Sequence, residues 1–501
     1  VIEESPERRQ IHLRLKIEAG PQSRVQSVGI EGNRSITTEE LKSVLNLKQG
    51  EVFSWPALTE DRTALVNRFR SAGFKDVRVE AQAQQVNDGP DYEVFFSIDE
   101  GEVYRISGVE IAGTRRTRSS FILKETGLKP GETVSLERLA QAQKNLYDSG
   151  VFQEVRVSSV PEQLESNQEK VKVNVLEIPW LTLTYGLQYN TETRFEGFTQ
   201  FDFNNLLGQG WNSLIYLRAN QRQQEGRFSI RIPYIFARKT DSLLSFYYLK
   251  NAGDLYITEQ LGTSFQQKIM IVRGFDLSWV YRLSKIHDYE KEPSWPFPYD
   301  VRVLTSEISI LLNRDTRDDK FDPHRGSLLA SHLSYSPRFL GSDLNFVTSF
   351  TQFTMYKTVL RQVIWASCFR LGLASAFGQE LIPSRRFFAG GGTSIRGFKL
   401  DTVGPLDPWL GLPEGGEAMV VVNQELRFPI YKIFRGVAFF DVGNVYSKLK
   451  DINLTDLRTG AGLGLRINSP LGLVRFDYGF NLKPRPGEPK STIFFSIGQA
   501  F

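Results

Sequence analysis

Residues Leu181–Asn190 read LTLTYGLQYN, and the alternation is strict: Leu181, Leu183, Tyr185, Leu187 and Tyr189 fall on one side of an extended chain, Thr182, Thr184, Gly186, Gln188 and Asn190 on the other. A strand divided in this way can face hydrocarbon with one side and water with the other. The same period returns far downstream. In GAGLGLRI, Ala461, Leu463, Leu465 and Ile467 oppose Gly460, Gly462, Gly464 and Arg466, and in LVRFDYGF, Val474, Phe476 and Tyr478 oppose Arg475, Asp477 and Gly479. The chain ends STIFFSIGQAF, with Ile493, Phe495, Ile497 and Phe501 on one face. A soluble sandwich more often combines shorter strands with polar outer faces. About 322 residues run from Trp180 to the end, room for roughly sixteen strands of ~10 residues with their connections. The pattern predicts a transmembrane antiparallel β-barrel over 179–501.

Composition agrees with strands rather than membrane helices. No stretch approaches the ~18 consecutive apolar residues of a spanning helix, whereas a 12% aromatic share, 36 Phe and 18 Tyr with 41 Gly, suits aromatic girdles and tight turns. The net charge of +4 is small, and basic residues are interspersed with acidic ones, so nucleic-acid binding gets no support. A single cysteine, Cys368, excludes an internal disulfide, and its setting WASCFRLGL predicts a buried or lipid-facing thiol. The four histidines, His12, His287, His324 and His332, lack metal-ligand spacing, and no G-x-S-x-G nucleophile motif occurs. No catalytic residue, metal or cofactor is therefore expected. The sequence begins at Val1 rather than Met, which is consistent with removal of an export signal or of upstream domains.

Upstream of the barrel the sequence repeats itself. EAGPQSRVQSVGIEGNR (Glu18 to Arg34) aligns with DEGEVYRISGVEIAGTR (Asp99 to Arg115) at a shift of 81 residues, and LKQGEVFS (Leu47 to Ser54) with LKPGETVS (Leu128 to Ser135) at the same shift. SAGFKDVRV (Ser71 to Val79) then corresponds to DSGVFQEVRV (Asp148 to Val157) after a small deletion. Four blocks recurring in order mark a tandem repeat. Each copy reads strand, helix, helix, strand, strand. In the first, TTEELKSVLN offers a Thr N-cap and apolar Leu41, Val44 and Leu45 at helical spacing. A second helix is expected from about Leu58 to Ser71, its face formed by Leu65, Val66 and Phe69, ending at Gly73. Two alternating strands follow. The copies occupy 22–101 and 102–178, and residues 1–21 carry what reads as the closing strand of a truncated third.

One further segment breaks the strand pattern. RRFFAGGGTSIRGFKLDTVGP (Arg385 to Pro405) has three consecutive glycines and then Arg396, Gly397 and Phe398. It is no phosphate loop, because no GK[ST] and no helix follow. An arginine placed inside a barrel needs a carboxylate able to accept its bidentate hydrogen bonds. Three downstream acids are candidates, in this order: Asp441 in FFDVGNVY first, Asp477 on the polar face of LVRFDYGF second and Glu425 in VVVNQELRF third. Phe439 shares the parity of Asp441, so alternation there is imperfect.

Taken together, the β-α-α-β-β modules resemble POTRA domains, and the loop of Arg396, FFDVGNVY and the aromatic terminal strand resemble the BamA/TamA superfamily of outer-membrane assembly factors. NLLGQGW (Asn205 to Trp211) and NRDTRDDKFDPHRG (Asn313 to Gly326) add to the likeness. The resemblance implies a bacterial outer-membrane barrel with periplasmic repeats and an RGF loop, at about 385–417, folded inward so that Arg396 meets Asp441, Asp477 or Glu425. It implies a seam between a first strand bearing Leu181, Leu183, Tyr185 and Leu187 and a last strand bearing Phe495, Ile497 and Phe501. As partners it implies unfolded outer-membrane clients, the lipid bilayer and periplasmic or lipoprotein accessory subunits. The implied function is capture of clients by β-augmentation and their insertion through the seam. A two-partner-secretion type transporter, passing a protein through the lumen, is the alternative, and the choice between BamA-like and TamA-like stays open.

Overall fold

The computed structural model describes residues 2–5, 10–13, 21–87, 89–162, 167–235, 238–272, 274–292, 298–320, 322–469 and 472–497. Two compact units divide between Ile178 and Pro179. Among the described residues no helix is long and apolar enough to cross a membrane.

The first unit opens with a short antiparallel pair, β1 (Ile2–Ser5) and β2 (Gln10–Leu13). Two repeats follow. The first comprises β3 (Val25–Glu31), α1 (Thr38–Ser43), α2 (Trp55–Ser71), β4 (Arg78–Gln85) and β5 (Tyr92–Asp99); the second comprises β6 (Arg105–Ala112), α3 (Ser119–Thr126), α4 (Leu136–Asp148), β7 (Phe152–Pro161) and β8 (Gln168–Glu177). Each last strand takes the centre of its sheet, in the orders β3-β5-β4 and β6-β8-β7, parallel to the first strand and antiparallel to the preceding one. Helix α2 buries Leu58, Leu65 and Phe69 against Val79, Val94, Phe96 and Ile98 of the sheet. It begins at Trp55, three residues before the start that apolar spacing gives. The cause is local: Ser54 Oγ accepts a hydrogen bond from Ala57 N–H at 3.3 Å, and Pro56 occupies the first turn. Ser135 caps α4 in the same way, through Arg138 N–H at 3.2 Å.

A carboxylate closes each repeat. Glu100 accepts from Arg34 N–H, Ser35 N–H and Ser35 Oγ–H at 2.6–2.8 Å. Glu177 takes the same role, accepting from the N–H groups of Arg115, Arg116 and Thr117 and from Thr117 Oγ–H. The repeats also hold one another. Lys75 Nζ donates to both oxygens of buried Glu169, at 2.7 Å each, and to Ser159 Oγ at 2.9 Å. Tyr104 OH donates to Asp76 at 2.5 Å. Gly73, at φ +99°, lies so close to the Thr133 side chain that a Cβ would not fit.

The second unit is one antiparallel sheet of sixteen strands in sequence order. Its first eight are β9 (Leu181–Asn190), β10 (Arg194–Leu206), β11 (Trp211–Ala219), β12 (Gln223–Ile235), β13 (Arg238–Ala252), β14 (Tyr256–Val272), β15 (Phe275–Glu290) and β16 (Asp300–Asp315). The rest are β17 (Gly326–Ser336), β18 (Phe346–Leu360), β19 (Val363–Ala376), β20 (Ala418–Tyr431), β21 (Phe434–Tyr446), β22 (Arg458–Ser469), β23 (Gly472–Asn481) and β24 (Ser491–Ile497). The number matches the room available in the sequence. Outward residues of the first strands are bare, with Leu187 85%, Tyr185 76% and Phe195 75% exposed, as lipid-facing side chains of an isolated barrel must be. Inward residues such as Ser284, Asp288, Glu307 and Asn423 are buried. Cys368 is buried too, with Thr354 Oγ–H donating to its sulfur at 3.5 Å. NLLGQGW and the described residues of NRDTRDDKFDPHRG run through turns at the end where β9 begins, here called the near end.

The barrel closes where β24 comes round to β9. All fifteen other neighbour pairs carry antiparallel ladders. Among the described residues β9 and β24 share none; they meet through Thr191 N–H donating to Phe495 C=O at 3.2 Å, Phe495 N–H reaching Thr191 Oγ at 3.4 Å, and the rings of Tyr189 and Phe495 at 6.3 Å. Phe501 and its three predecessors lie outside the described residues.

Burial alone would raise the Glu100 and Glu177 carboxyls, but the donors from Ser35 and Arg34, and from Thr117, Arg116 and Arg115, outweigh it and hold both below the usual carboxylate range. Such a group stabilises the fold above its unfolded pKa, and that contribution disappears as pH falls through the lower folded value. The repeats should therefore lose stability as pH drops below 4.5. The double variant Glu100→Gln/Glu177→Gln should be less stable at pH 7, by about 1–3 kcal/mol for each charged acceptor lost, and should show a flatter acid limb. Because the α-helices described lie in the repeats, thermal melts of the full chain followed by helical circular dichroism test this.

Candidate functional site in the barrel lumen

The connection between β19 and β20, residues 377–417, does not stay outside the barrel. Ser384 N–H donates to Asp288 at 3.0 Å, and Arg385 bonds Glu307, which also accepts from Ser334 Oγ–H at 3.1 Å. From these anchors on β15 and β16 the segment crosses the lumen, and Arg396 reaches the wall formed by β20 to β23.

Arg396 is 1% exposed and among the largest fully buried side chains. Its Nε donates to Asp441 Oδ2 at 2.6 Å and its Nη2 to Oδ1 at 2.7 Å, a bidentate pair reinforced by its own backbone N–H on Oδ2 at 3.0 Å. Its Nη1 donates to Glu425 at 2.5 Å and lies 3.6 Å from Asp477. The guanidinium plane sits 3.6 Å over the ring of Phe439. All three candidate acids thus converge on one arginine: Asp441 by two side-chain hydrogen bonds, Glu425 by one, Asp477 at ion-pair distance only. Glu425 is nearer than Asp477, the reverse of their order in the sequence reading.

Cross-strand register explains the convergence. Asp441 stands opposite Asn423 and Gly460, Glu425 opposite Phe439, and Asp477 opposite Gly464. The shared parity of Phe439 and Asp441, a flaw by alternation, places an aromatic face beneath the guanidinium, an attractive arrangement worth roughly 0.5–2 kcal/mol. Gly460 and Gly479 leave room for the loop backbone: a Cβ at Gly479 would stand 2.6 Å from Gly397 N, and one at Gly460 would overlap Arg396 C=O. Gly397 has φ +99°, and a Cβ there would meet the Phe480 backbone at 2.7 Å. Phe398 is 1% exposed and packs with Ile395, Val403, Val421 and Val445.

Several participants escaped the sequence reading. Asn423 Nδ2 donates to Asp441 at 2.8 Å and to Ser394 C=O at 2.5 Å, Arg427 Nε donates to Glu425 at 2.9 Å, and Arg466 and Arg475 donate to Asp477 at 2.5 and 2.6 Å. The signal for Arg466 and Arg475 was present, since both lie on the polar faces of the quoted strands. Four arginines and three carboxylates therefore share one buried cluster, in which opposite charges face one another at hydrogen-bond or ion-pair distance. It fixes a long loop inside a lumen.

Sixteen antiparallel strands with an apolar outside, a polar inside and a loop pinned within define an outer-membrane-type barrel, here preceded by tandem α/β repeats. Residues 205–501 match the Omp85 superfamily domain, and residues 23–101 and 104–177 match POTRA, the surface antigen variable number repeat. The chain belongs to the Omp85 superfamily. It is 26% identical over 509 residues to the outer membrane protein assembly factor BamA of Nitratidesulfovibrio vulgaris, covering 98% of this chain and 64% of that protein. Among solved structures, BamA from Haemophilus ducreyi lacking POTRA domains 1-3 superposes with a TM-score of 0.77 at 19% identity, over 96% of this chain and 99% of that one. CdiB from Escherichia coli gives 0.53 at 14% identity, over 99% and 92%.

Lysine in place of Arg396 is a point charge that cannot serve Asp441 bidentately and Glu425 at once, and removal of one partner from a buried charge network costs about 3–5 kcal/mol. Arg396→Lys and Gly397→Ala should each free the loop. Limited trypsinolysis should then cut between residues 385 and 417 at least about tenfold faster, the factor that ~1.4 kcal/mol of local stability provides, while the barrel keeps its heat-modifiable mobility in gels.

Proposed function

We propose that this chain is the repeat-and-barrel part of an outer-membrane protein assembly factor, which receives unfolded clients on its repeats and inserts them through the β9–β24 seam. The observation that carries the reading is the seam: among the described residues it is the one neighbour pair without a ladder, in a sheet whose other pairs are all zipped. Unsatisfied backbone groups in hydrocarbon cost several kcal/mol each, so an incoming strand that pairs with them is strongly favoured. The repeats have the complementary property. β4 and β7 are edge strands of three-stranded sheets, and an extended client can add to such an edge by main-chain hydrogen bonds with little demand on its sequence. The names of the relatives support the same role.

In this reading both repeats lie in the periplasm, where accessory subunits would dock, and Arg396 braces the wall adjoining the seam. The rival is secretion through the lumen. It shares the repeats, the barrel and the inward loop, so the sparsely paired seam is what favours insertion.

A disulfide between Thr191→Cys and Phe495→Cys should stop insertion of a barrel client into liposomes by the reconstituted full chain, and reduction should restore it. Undiminished insertion by the oxidised protein would exclude passage through the seam. Arg396→Ala should lower the insertion rate at least about tenfold while the protein stays in the membrane fraction, the effect of losing ~1.4 kcal/mol or more from the productive geometry.

A further inference from the structure

The three glycines before Arg396 touch the lumenal charge cluster through Arg475 and carry a second contact on their other side. The turn that joins β9 to β10 is rigidly built: Asn190 Oδ1 accepts from Glu192 N–H at 2.9 Å and Thr193 N–H at 2.7 Å, while Asn190 Nδ2 donates to Thr193 Oγ at 2.6 Å. Thr191, in the middle of that turn, makes the described hydrogen bonds of the seam. The next residue, Glu192, turns away from the seam to the loop and accepts a hydrogen bond from Gly392 N–H at 2.9 Å. On the other side of the same residue, Gly392 C=O accepts from Arg475 of β23. Gly392 therefore bridges the two margins of the barrel, β9–β10 and β23–β24, from within. Phe494 of β24 completes the site: it is 5% exposed, and a Cβ at Gly392 would sit 3.1 Å from its ring. A Cβ at Gly391 would collide with Glu192 Oε1, and Gly391 and Gly390 both have φ near +100°, at +95° and +111°. The glycine run is what lets the carboxylate and the aromatic ring approach the loop backbone so closely.

We propose that Glu192 is a positioning residue for membrane insertion: through Gly392 and Arg475 it latches the first hairpin of the barrel to its last strands, so that the seam is held shut at its far end by the inward loop. The proposal rests on the assembly reading for its purpose, but not for its physics. A charged acceptor on a backbone N–H shielded from water is roughly twice as strong as a neutral one, and here it acts where strand pairing is sparse. Opening the seam at this end then requires either Glu192 or Arg475 to leave Gly392. The loop becomes the part that senses or sets that event.

The test reads the seam directly. Cys368 is buried, so spin labels can be placed on Leu187→Cys and Ile493→Cys, outward positions 85% and 51% exposed, with little background. In the full chain in nanodiscs, electron–electron distance measurement should give one narrow distribution for the parent, a second and longer population for Glu192→Ala, and an intermediate one for Glu192→Gln, which keeps an acceptor but no charge. Glu192→Asp should recover part of the short population, a graded rescue that a merely misfolded barrel would not give, and heat-modifiable mobility checks folding in every sample. Distributions identical in the parent and Glu192→Ala would overturn the latch. So would equal broadening in Glu192→Ala and Glu192→Asp. Client insertion measured on the same samples separates the two ideas: unchanged distances with an active parent sink the latch alone, whereas a widened seam with a parent that inserts nothing sinks the assembly reading and leaves the latch standing.

Discussion

A guanidinium cannot be left dry and alone, and much of the second unit follows from that constraint. Arg396 is carried into the lumen by a loop whose own structure is limited to one 3-10 turn and isolated bridges, so its charge must be answered by the wall. Asp441 and Glu425 answer it with directed hydrogen bonds and Phe439 with a ring face. Those acids in turn bring Arg427, Arg466 and Arg475, because three carboxylates in one enclosed space repel unless cations separate them. The excess positive charge is met in part by backbone: Arg475 also donates to Gly392 C=O. Even the absence of side chains is dictated from the same point, since Gly460 and Gly479 face the loop backbone on either side of Arg396 and Gly397. One buried cation thus accounts for acids, bases, an aromatic and two glycines on four consecutive strands.

The architecture was legible because it is written in periods. Alternation over Leu181–Asn190 announces a two-faced strand, and an 81-residue recurrence announces two copies of one module. Local chemistry then refines what period cannot: α2 starts at Trp55 because Ser54 can cap it and Pro56 fits its first turn, neither of which enters an apolar count. At the site, alternation assigns a residue to the inner face but says nothing of its height. Height depends on the stagger between strands, which sets Asp441 beside Gly460 and Asp477 beside Gly464. Hence three acids could be named as partners of Arg396, but not the order of their approach. Phe439 shows a related limit. An aromatic on a polar face looks like a break in pattern until the cation above it is seen. Glu192 could not be read at all, since it sits in a short turn about two hundred residues from the glycine it contacts.

The two units also handle polar burial in different ways. In the repeats a single carboxylate, Glu100 or Glu177, gathers backbone N–H groups at the point where the chain leaves the first strand and would otherwise leave donors unpaired. The barrel gathers charges on side chains instead, because ladders already occupy its backbone groups along nearly all its circumference. Among the described residues, the outer edges of the repeat sheets and the seam are two places where strand backbone is left without a ladder on one side. Both are places where another polypeptide can pair.

The contact of Lys75 with Glu169 and Ser159 fixes more than two side chains. Linked modules ordinarily swivel about their connection, but here a lysine of the first repeat is held by two residues of the second, Tyr104 is tied back to Asp76, and Gly73 lets the chains touch at the pivot. A swivel at this junction would have to break the Lys75 and Tyr104 contacts together, so these side chains oppose the motion that a bare linker would allow.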